Sequence, residues 1–236
     1  MASESENRIL SVEEKIILEK QYVGYPKEIV GPSIGLFFHE LTDKDTLSTR
    51  IFSKVAAGFL FVLLVLLYPF VALAIKLSSR GPVIIRQTCT GFRGHPFRRY
   101  LFRTTKYNPE SVGNLEKPEQ TFFIGRVLRA TRLNELPSVI NILKNEMRLI
   151  GPKTRPYSLD THWNNQFSEY YKRFATDPGL IGVSRKYRVE HTEDVHIVKY
   201  ALRTELKYIL QPTLPKDLKI LVRALSTLPR RSARKA

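Results

Sequence analysis

From Val55 to Ile75 the chain runs Val-Ala-Ala-Gly-Phe-Leu-Phe-Val-Leu-Leu-Val-Leu-Leu-Tyr-Pro-Phe-Val-Ala-Leu-Ala-Ile, without one charged side chain. A helix needs roughly 20 apolar residues to cross a bilayer core, so the fold must be built around a segment that suits lipid. The run starts too far from Met1, and is too long, for a cleaved signal peptide; the core helix of a soluble domain is the competing use. Pro69 lies inside it. Its ring crowds the Val65 carbonyl and it brings no N–H, so a kink is expected there. The freed carbonyl needs a donor, which Tyr68 or another helix could supply. Lys44, Arg50 and Lys54 precede the run and Lys76, Arg80 and Arg86 follow it. Positive charge marks the cytoplasmic side. Basic flanks at both ends therefore predict a re-entrant helix that dips in and returns, with a simple span left open.

The remainder is strongly basic: the formal net charge is +16 over 236 residues. Residues 1–45 are rich in acids, and the excess of Lys and Arg lies beyond residue 75. A basic body behind an apolar segment suits a membrane surface and phosphorylated substrates. Nucleic acid is not expected, because zinc-finger spacing, an aromatic RNP-type strand and a basic zipper are all missing from the sequence. The single cysteine, Cys89, excludes an intrachain disulfide framework and reads as a small semi-buried side chain.

Four segments are expected: a polar N-terminal extension (1–45), the membrane helix (46–80), a catalytic-type domain (81–228) and a basic tail (229–236). The fold class is α+β, a membrane-embedded kinked helix joined to a small cytoplasmic domain of helices with a short β-hairpin. Ser11 and Glu14 form a capping-box pair for a short helix. Strands are predicted at Val83–Arg86 and Phe97–Phe102, around a turn through Gly91 and Gly94. Helices are predicted at Ile124–Ala130, Leu136–Asn145, His191–Leu210 and Lys216–Leu225; Tyr107 to Thr121 reads as loop and the stretch after Gly151 as mostly irregular. In the last helix Leu218, Leu221, Val222 and Leu225 form a stripe that could face lipid or core.

Arg126 to Lys153 crowds basic residues around an Asn134-Glu135 pair and then runs into Gly151-Pro152. Gly125, Leu128, Arg129, Leu133, Glu135, Leu136, Pro137, Asn141, Leu143, Met147, Gly151 and Pro152 resemble the central signature of the bacterial sugar transferases, the monotopic phosphoglycosyl transferases. Gln87, Gly91, Gly94 and Phe97 match the family's hairpin, and Phe102-Arg103-Thr104 its Lys-Phe-Arg-Thr-Met element. Pro178-Gly179 with Gly182, and Tyr208 with Asp217-Leu218, match later elements. The resemblance covers about Arg50 to Leu225. It implies transfer of a phosphosugar from a nucleotide-diphosphate sugar to a membrane polyprenyl phosphate, at the cytoplasmic face of the inner membrane, to begin a polysaccharide or glycoconjugate. It also implies Mg2+, held with the help of Glu135. A homodimer is left open.

Such a reaction needs cations around multiply anionic reactants. Arg103, Arg126, Arg129, Arg132, Lys153 and Arg155 are candidates, with Arg103, Arg129, Lys153 and Arg155 assigned to substrate phosphate. Asn134 stands where the family carries its nucleophilic aspartate, and a neutral amide is a poor nucleophile. Ser53, Cys89, Lys153 and Arg185 are further polar departures, so apolar and glycine positions match better than polar ones. Three readings stay open: activity through Glu135 or through direct attack by the lipid phosphate, a catalytically inactive scaffold or regulator, or a register shifted by one residue. The Glu190-His191-Thr-Glu193-Asp194-Val-His196 cluster reads as a polar helix start, because its histidines are five apart rather than four.

Overall fold

Helix α1, Leu47–Ser78, is 32 residues long and passes through Pro69 without leaving helical conformation. Its residues divide into two faces. Thr49, Ser53, Ala57, Leu64 and Ile75 are buried, with Phe52, Ala56, Leu60, Leu67 and Val71 packed beside them. These positions recur every three or four residues, which is one stripe of an α-helix. The opposite face leaves Ile51, Val55, Phe59, Val62, Leu66, Phe70 and Leu73 exposed. The computed structural model describes residues 47–106, 121–167, 169–187 and 189–226. The N-terminal extension, most of the loop expected from Tyr107 and the basic tail lie outside the described residues.

After α1 the chain turns at Gly81 and forms an antiparallel hairpin, β1 (Ile84–Thr90) and β2 (Pro96–Phe102), paired from Ile84↔Phe102 to Thr90↔Pro96. Both strands outrun their predicted bounds at the turn end, and Phe92–Gly94 makes the connection. Helix α2, Phe123–Thr131, follows. The single helix expected over Leu136–Asn145 is corrected to a 3₁₀ turn, Leu133–Ser138, and a short α3, Val139–Leu143. Pro137, which offers no N–H to an α-helical ladder, lies within that turn.

The stretch after Gly151, expected to be mostly irregular, is ordered. Strand β3, Arg148–Gly151, pairs in parallel with β4, Gly179–Gly182. Between them lie α4, Tyr157–Gln166, and a 3₁₀ segment, Tyr170–Ala175. Helices α5, Val195–Ile209, and α6, Leu214–Ser226, complete the chain. Asp194 caps α5 by accepting the His196 N–H at 2.8 Å, so the acidic, histidine-bearing segment does begin a helix.

Two apolar clusters hold these elements. One unites the inner face of α1 with Phe102, Leu128, Val139, Ile142, Leu149, Ile150 and Tyr208. The other packs Trp163, Tyr170 and Phe174 against Val198, Ala201 and Leu202 of α5. The stripe predicted on α6 is divided: Leu221 packs on the first cluster, while Leu218, Val222 and Leu225 are exposed. On α2, Phe123 and Val127 are exposed as well. The described architecture is α+β, with two small two-stranded sheets among helices.

Candidate active site

Strand β2 carries Phe97, Arg99 and Leu101 on one parity, and Arg99 points inward with Leu101. A buried guanidinium must be paired or the fold pays several kcal/mol. Arg99 donates through Nη2 to Glu135 Oε2 at 2.9 Å and through Nε to Ser138 Oγ at 3.0 Å. Ser138 in turn donates to the Tyr100 carbonyl. The hairpin thus pins the 3₁₀ turn that carries Asn134 and Glu135.

Arg132 ends α2 in the left-handed region, with φ 61°. That conformation turns the chain sharply into the Asn134-Glu135 segment, and Arg132 Nη1 lies 3.9 Å from Glu135 Oε1. Lys153 completes the cluster from the loop after β3. Its ammonium lies 3.8 Å from Glu190 and acts electrostatically on Glu135. Burial alone would raise the Glu135 carboxyl; Lys153, Arg99 and Arg132, with the Arg99 hydrogen bond, instead hold it down at about 2. The side chains remain partly open, at 19% for Glu135, 22% for Arg132 and 17% for Lys153.

Lys153 is fixed by its main chain. Its N–H donates to Glu205 Oε1 at 3.1 Å, and its carbonyl accepts from Arg173 Nη2. Glu205 also accepts from Arg155 Nη2 at 3.0 Å, from Arg173 Nε at 2.8 Å and from Ser184 Oγ. Asp160 accepts from Arg173 and from the Tyr170 hydroxyl. Gly182 of β4 lies so close that a Cβ there would meet Lys153 Cβ at 2.6 Å. The parallel pair and the buried ionic network therefore fix the backbone from which the Lys153 side chain extends.

The sequence-derived candidates separate into two groups. Glu135, Asn134 and Lys153 share the cluster region, with Arg132. Arg155 lies apart from that cluster: it is 1% exposed, and its guanidinium donates to Glu205, Tyr170 and Ser184. Arg103 is likewise 1% exposed and locks the end of α1, donating to the Pro82, Ser79 and Thr105 carbonyls and to Ser79 Oγ. Both guanidinium groups are thus buried against internal acceptors, away from the Glu135 turn. Arg129 donates to Thr104 Oγ1 at 2.8 Å, at the same end of the hairpin as Arg103. Arg99 was not among the candidates; an arginine on the parity of Phe97 and Leu101 is the signal that marks it. Cys89 is fully buried, and burial pushes its thiol up to about 12.

Among the described residues the fit for magnesium is poor. This ion wants near-octahedral oxygen donors at about 2.0–2.1 Å, usually several of them carboxylate, phosphate or water. Glu135 is the one acidic side chain of its turn, both its oxygens face guanidinium groups, and its neighbour is an amide. No group of three or more His, Cys, Asp or Glu that could hold a metal occurs among the described residues.

Known proteins resemble the chain over most of its length. The family model described as "Bacterial sugar transferase" matches residues 44–231. The UDP-glucose:undecaprenyl-phosphate glucose-1-phosphate transferase of Caulobacter vibrioides is 33% identical over 186 residues, which is 77% of this chain and 70% of that protein. The undecaprenyl-phosphate glucose phosphotransferase of Komagataeibacter xylinus is 34% identical over 67% of this chain, and a UDP-glucose:undecaprenyl-phosphate glucose-1-phosphate transferase of Escherichia coli (strain K12) is 30% identical over 80% of it. The matched region is only 32% and 42% of those two longer proteins. With the family model covering α1 through α6, the chain belongs to the bacterial sugar transferase family.

Proposed function

We propose that this chain is a phosphoglycosyl transferase that moves a phosphosugar from a nucleotide-diphosphate sugar to a membrane polyprenyl phosphate, initiating polysaccharide or glycoconjugate synthesis. The observation that carries the reading is the convergence of Arg99, Arg132 and Lys153 on Glu135 in a partly open site. Both reactants are anionic at the reacting centre, and phosphoryl transfer is accelerated chiefly by positioning and by neutralising charge. The names of the relatives supply the substrate classes.

The residues favour direct transfer. A phosphate oxygen of the lipid attacks the phosphorus that bears the sugar; the bond from that phosphorus to the bridging oxygen breaks, and a nucleoside monophosphate leaves with the electron pair. Arg132 and Lys153 stabilise the charge developing on the phosphoryl oxygens and the leaving group. Glu135 holds Arg99 and Arg132 in place, and the Asn134 amide can donate to a phosphate oxygen but cannot form the acyl phosphate an aspartate would.

The membrane reading rests on α1. Its inner face touches the domain from Thr49 to Ile75, so no stretch stands clear for long enough to cross a bilayer core of about 30 Å. A one-sided insertion, with the outer face of α1 in lipid and the exposed apolar residues of α2 and α6 beside it, fits that packing better than a span. The basic flanks of α1 support a position at the cytoplasmic face of the inner membrane, where polyprenyl phosphate would be within reach.

The test is nucleoside monophosphate release by the purified chain with undecaprenyl phosphate and a panel of sugar nucleotides. Release that vanishes in Glu135→Ala supports transfer. Asn134 favours a second reading, a non-catalytic scaffold on the same fold; binding of polyprenyl phosphate with no release from any donor would select it.

A further inference from the structure

The segment that carries Glu135 is fastened to β2 in two ways. The first uses the main chain of the strand. Ser138 Oγ donates to the Tyr100 carbonyl at 2.8 Å, Asn141 Oδ1 accepts the Tyr100 N–H at 3.1 Å, and Asn141 Nδ2 donates to the Arg98 carbonyl at 2.8 Å. These bonds satisfy backbone groups along the strand, and Leu136, Val139 and Ile142 anchor the same segment in the first apolar cluster. The second is Arg99, whose fork donates through Nε to Ser138 Oγ at 3.0 Å and through Nη2 to Glu135 Oε2 at 2.9 Å. Docking does not require it. An apolar side chain at 99 would share the inward parity of Leu101 and pack there without the desolvation penalty of a guanidinium. What Arg99 adds is specific to the carboxylate: a charge-assisted bond to Oε2 fixes the orientation of the Glu135 side chain. Oε1 lies 3.9 Å from Arg132, beyond hydrogen-bonding length. The Glu135 side chain is 19% exposed and that of Arg99 is 6%, so the arginine sits behind the carboxylate, and the carboxylate is the partly open member of the pair.

We propose that Arg99 is a positioning residue for phosphosugar transfer: from behind, it holds Glu135 in one orientation with Oε1 left for the site, and it touches no substrate itself. The proposal rests on the transferase reading above and names a residue that this reading leaves without a role in the reaction. A group fixed in place before the reaction speeds the chemical step more than it tightens substrate binding, because the transition state tolerates misplacement less than the bound ground state does. A guanidinium suits the task better than an ammonium. Its planar fork serves Ser138 and Glu135 at once, whereas a lysine at 99 would give one of them up.

The experiment measures kcat and KM for nucleoside monophosphate release by the full-length chain in detergent, with undecaprenyl phosphate and whichever sugar nucleotide the native chain uses best. Arg99→Met should lower kcat by roughly a hundredfold, the scale of a misplacement of about 1 Å, and leave KM for the sugar nucleotide within about threefold. Arg99→Lys should lower kcat by about tenfold, with KM again unchanged. Trp163 emission reports whether each variant is folded; if Arg99→Met does not fold, Arg99→Lys decides. A native kcat in the folded variant, or a raised KM with kcat unchanged, would overturn the proposal and leave the transferase reading standing. No release from any sugar nucleotide by the native chain would overturn both.

Discussion

Glu205→Ala tests whether the buried ionic network is what sets the site in place. Glu205 is 0% exposed and joins four donors: Arg155, Arg173, Ser184 and the Lys153 N–H. Arg173 would keep Asp160 and the Lys153 carbonyl. Arg155 would keep the Tyr170 hydroxyl at 2.8 Å and a long contact to Ser184 at 3.4 Å, and would lose its direct ion pair while still buried. Removing one partner of a buried pair costs about 3–5 kcal/mol, and the stranded Lys153 N–H adds roughly 1 kcal/mol or more. The expected loss is therefore about 4 kcal/mol or more. Glu205→Gln keeps an oxygen acceptor but not the charge, and should lose about half as much. Trp163 is the chain's single tryptophan and is 2% exposed in the cluster that α5 completes. Urea unfolding in detergent, followed by its emission, reads the change. A loss below about 1 kcal/mol for Glu205→Ala, the level of a surface ion pair, would refute the reasoning.

Other consequences follow from single contacts. The Glu135 carboxyl is held at about 2 against an ordinary value of 4.5, so the stability it contributes is fully present above about pH 4.5 and is lost as pH falls toward 2; Glu135→Gln should flatten that part of an acid titration of stability. Gly125→Ala places a Cβ against the Thr104 carbonyl, and such overpacking should cost about 1–3 kcal/mol in the same unfolding assay. Phe70→Asp, on the exposed face of α1, should release the chain from liposomes in flotation without changing Trp163 emission, whereas Ala57→Asp on the inner face should unfold it.

The parts of the fold legible in the sequence are those whose pattern is long or punctuated. The uncharged run from Val55 fixes α1, and Gly91 and Gly94 fix the hairpin turn. The start of α5 was placed a few residues early because the His191 segment is polar and the Asp194 cap lies inside it. The β3–β4 pair was not legible: each strand has four residues, mostly apolar or glycine, too short to show alternation. Helix α4 was missed for a related reason. Its sequence, Tyr-Ser-Leu-Asp-Thr-His-Trp-Asn-Asn-Gln, is made largely of weak helix formers, and tertiary packing of Trp163 and Asp160 decides its shape. In the site, the motif marks Glu135 and Lys153, but motif position alone does not tell an open cation from a buried one, and Arg103 and Arg155 are each 1% exposed. Arg99 is off the motif and is recognised only because a charged residue on an inward strand parity needs a buried partner.

The claim at the centre of this account is that the cations gathered around Glu135 are where the phosphosugar changes hands. The direct measurement is formation of sugar-diphosphate-polyprenol in vesicles containing undecaprenyl phosphate, followed by mass spectrometry for the native chain and for Lys153→Ala and Arg132→Ala. The account predicts product from the native chain and at least a roughly hundredfold loss in each variant, the scale set by removing a donor that stabilises developing charge. Product formed at the native rate by both variants would contradict it.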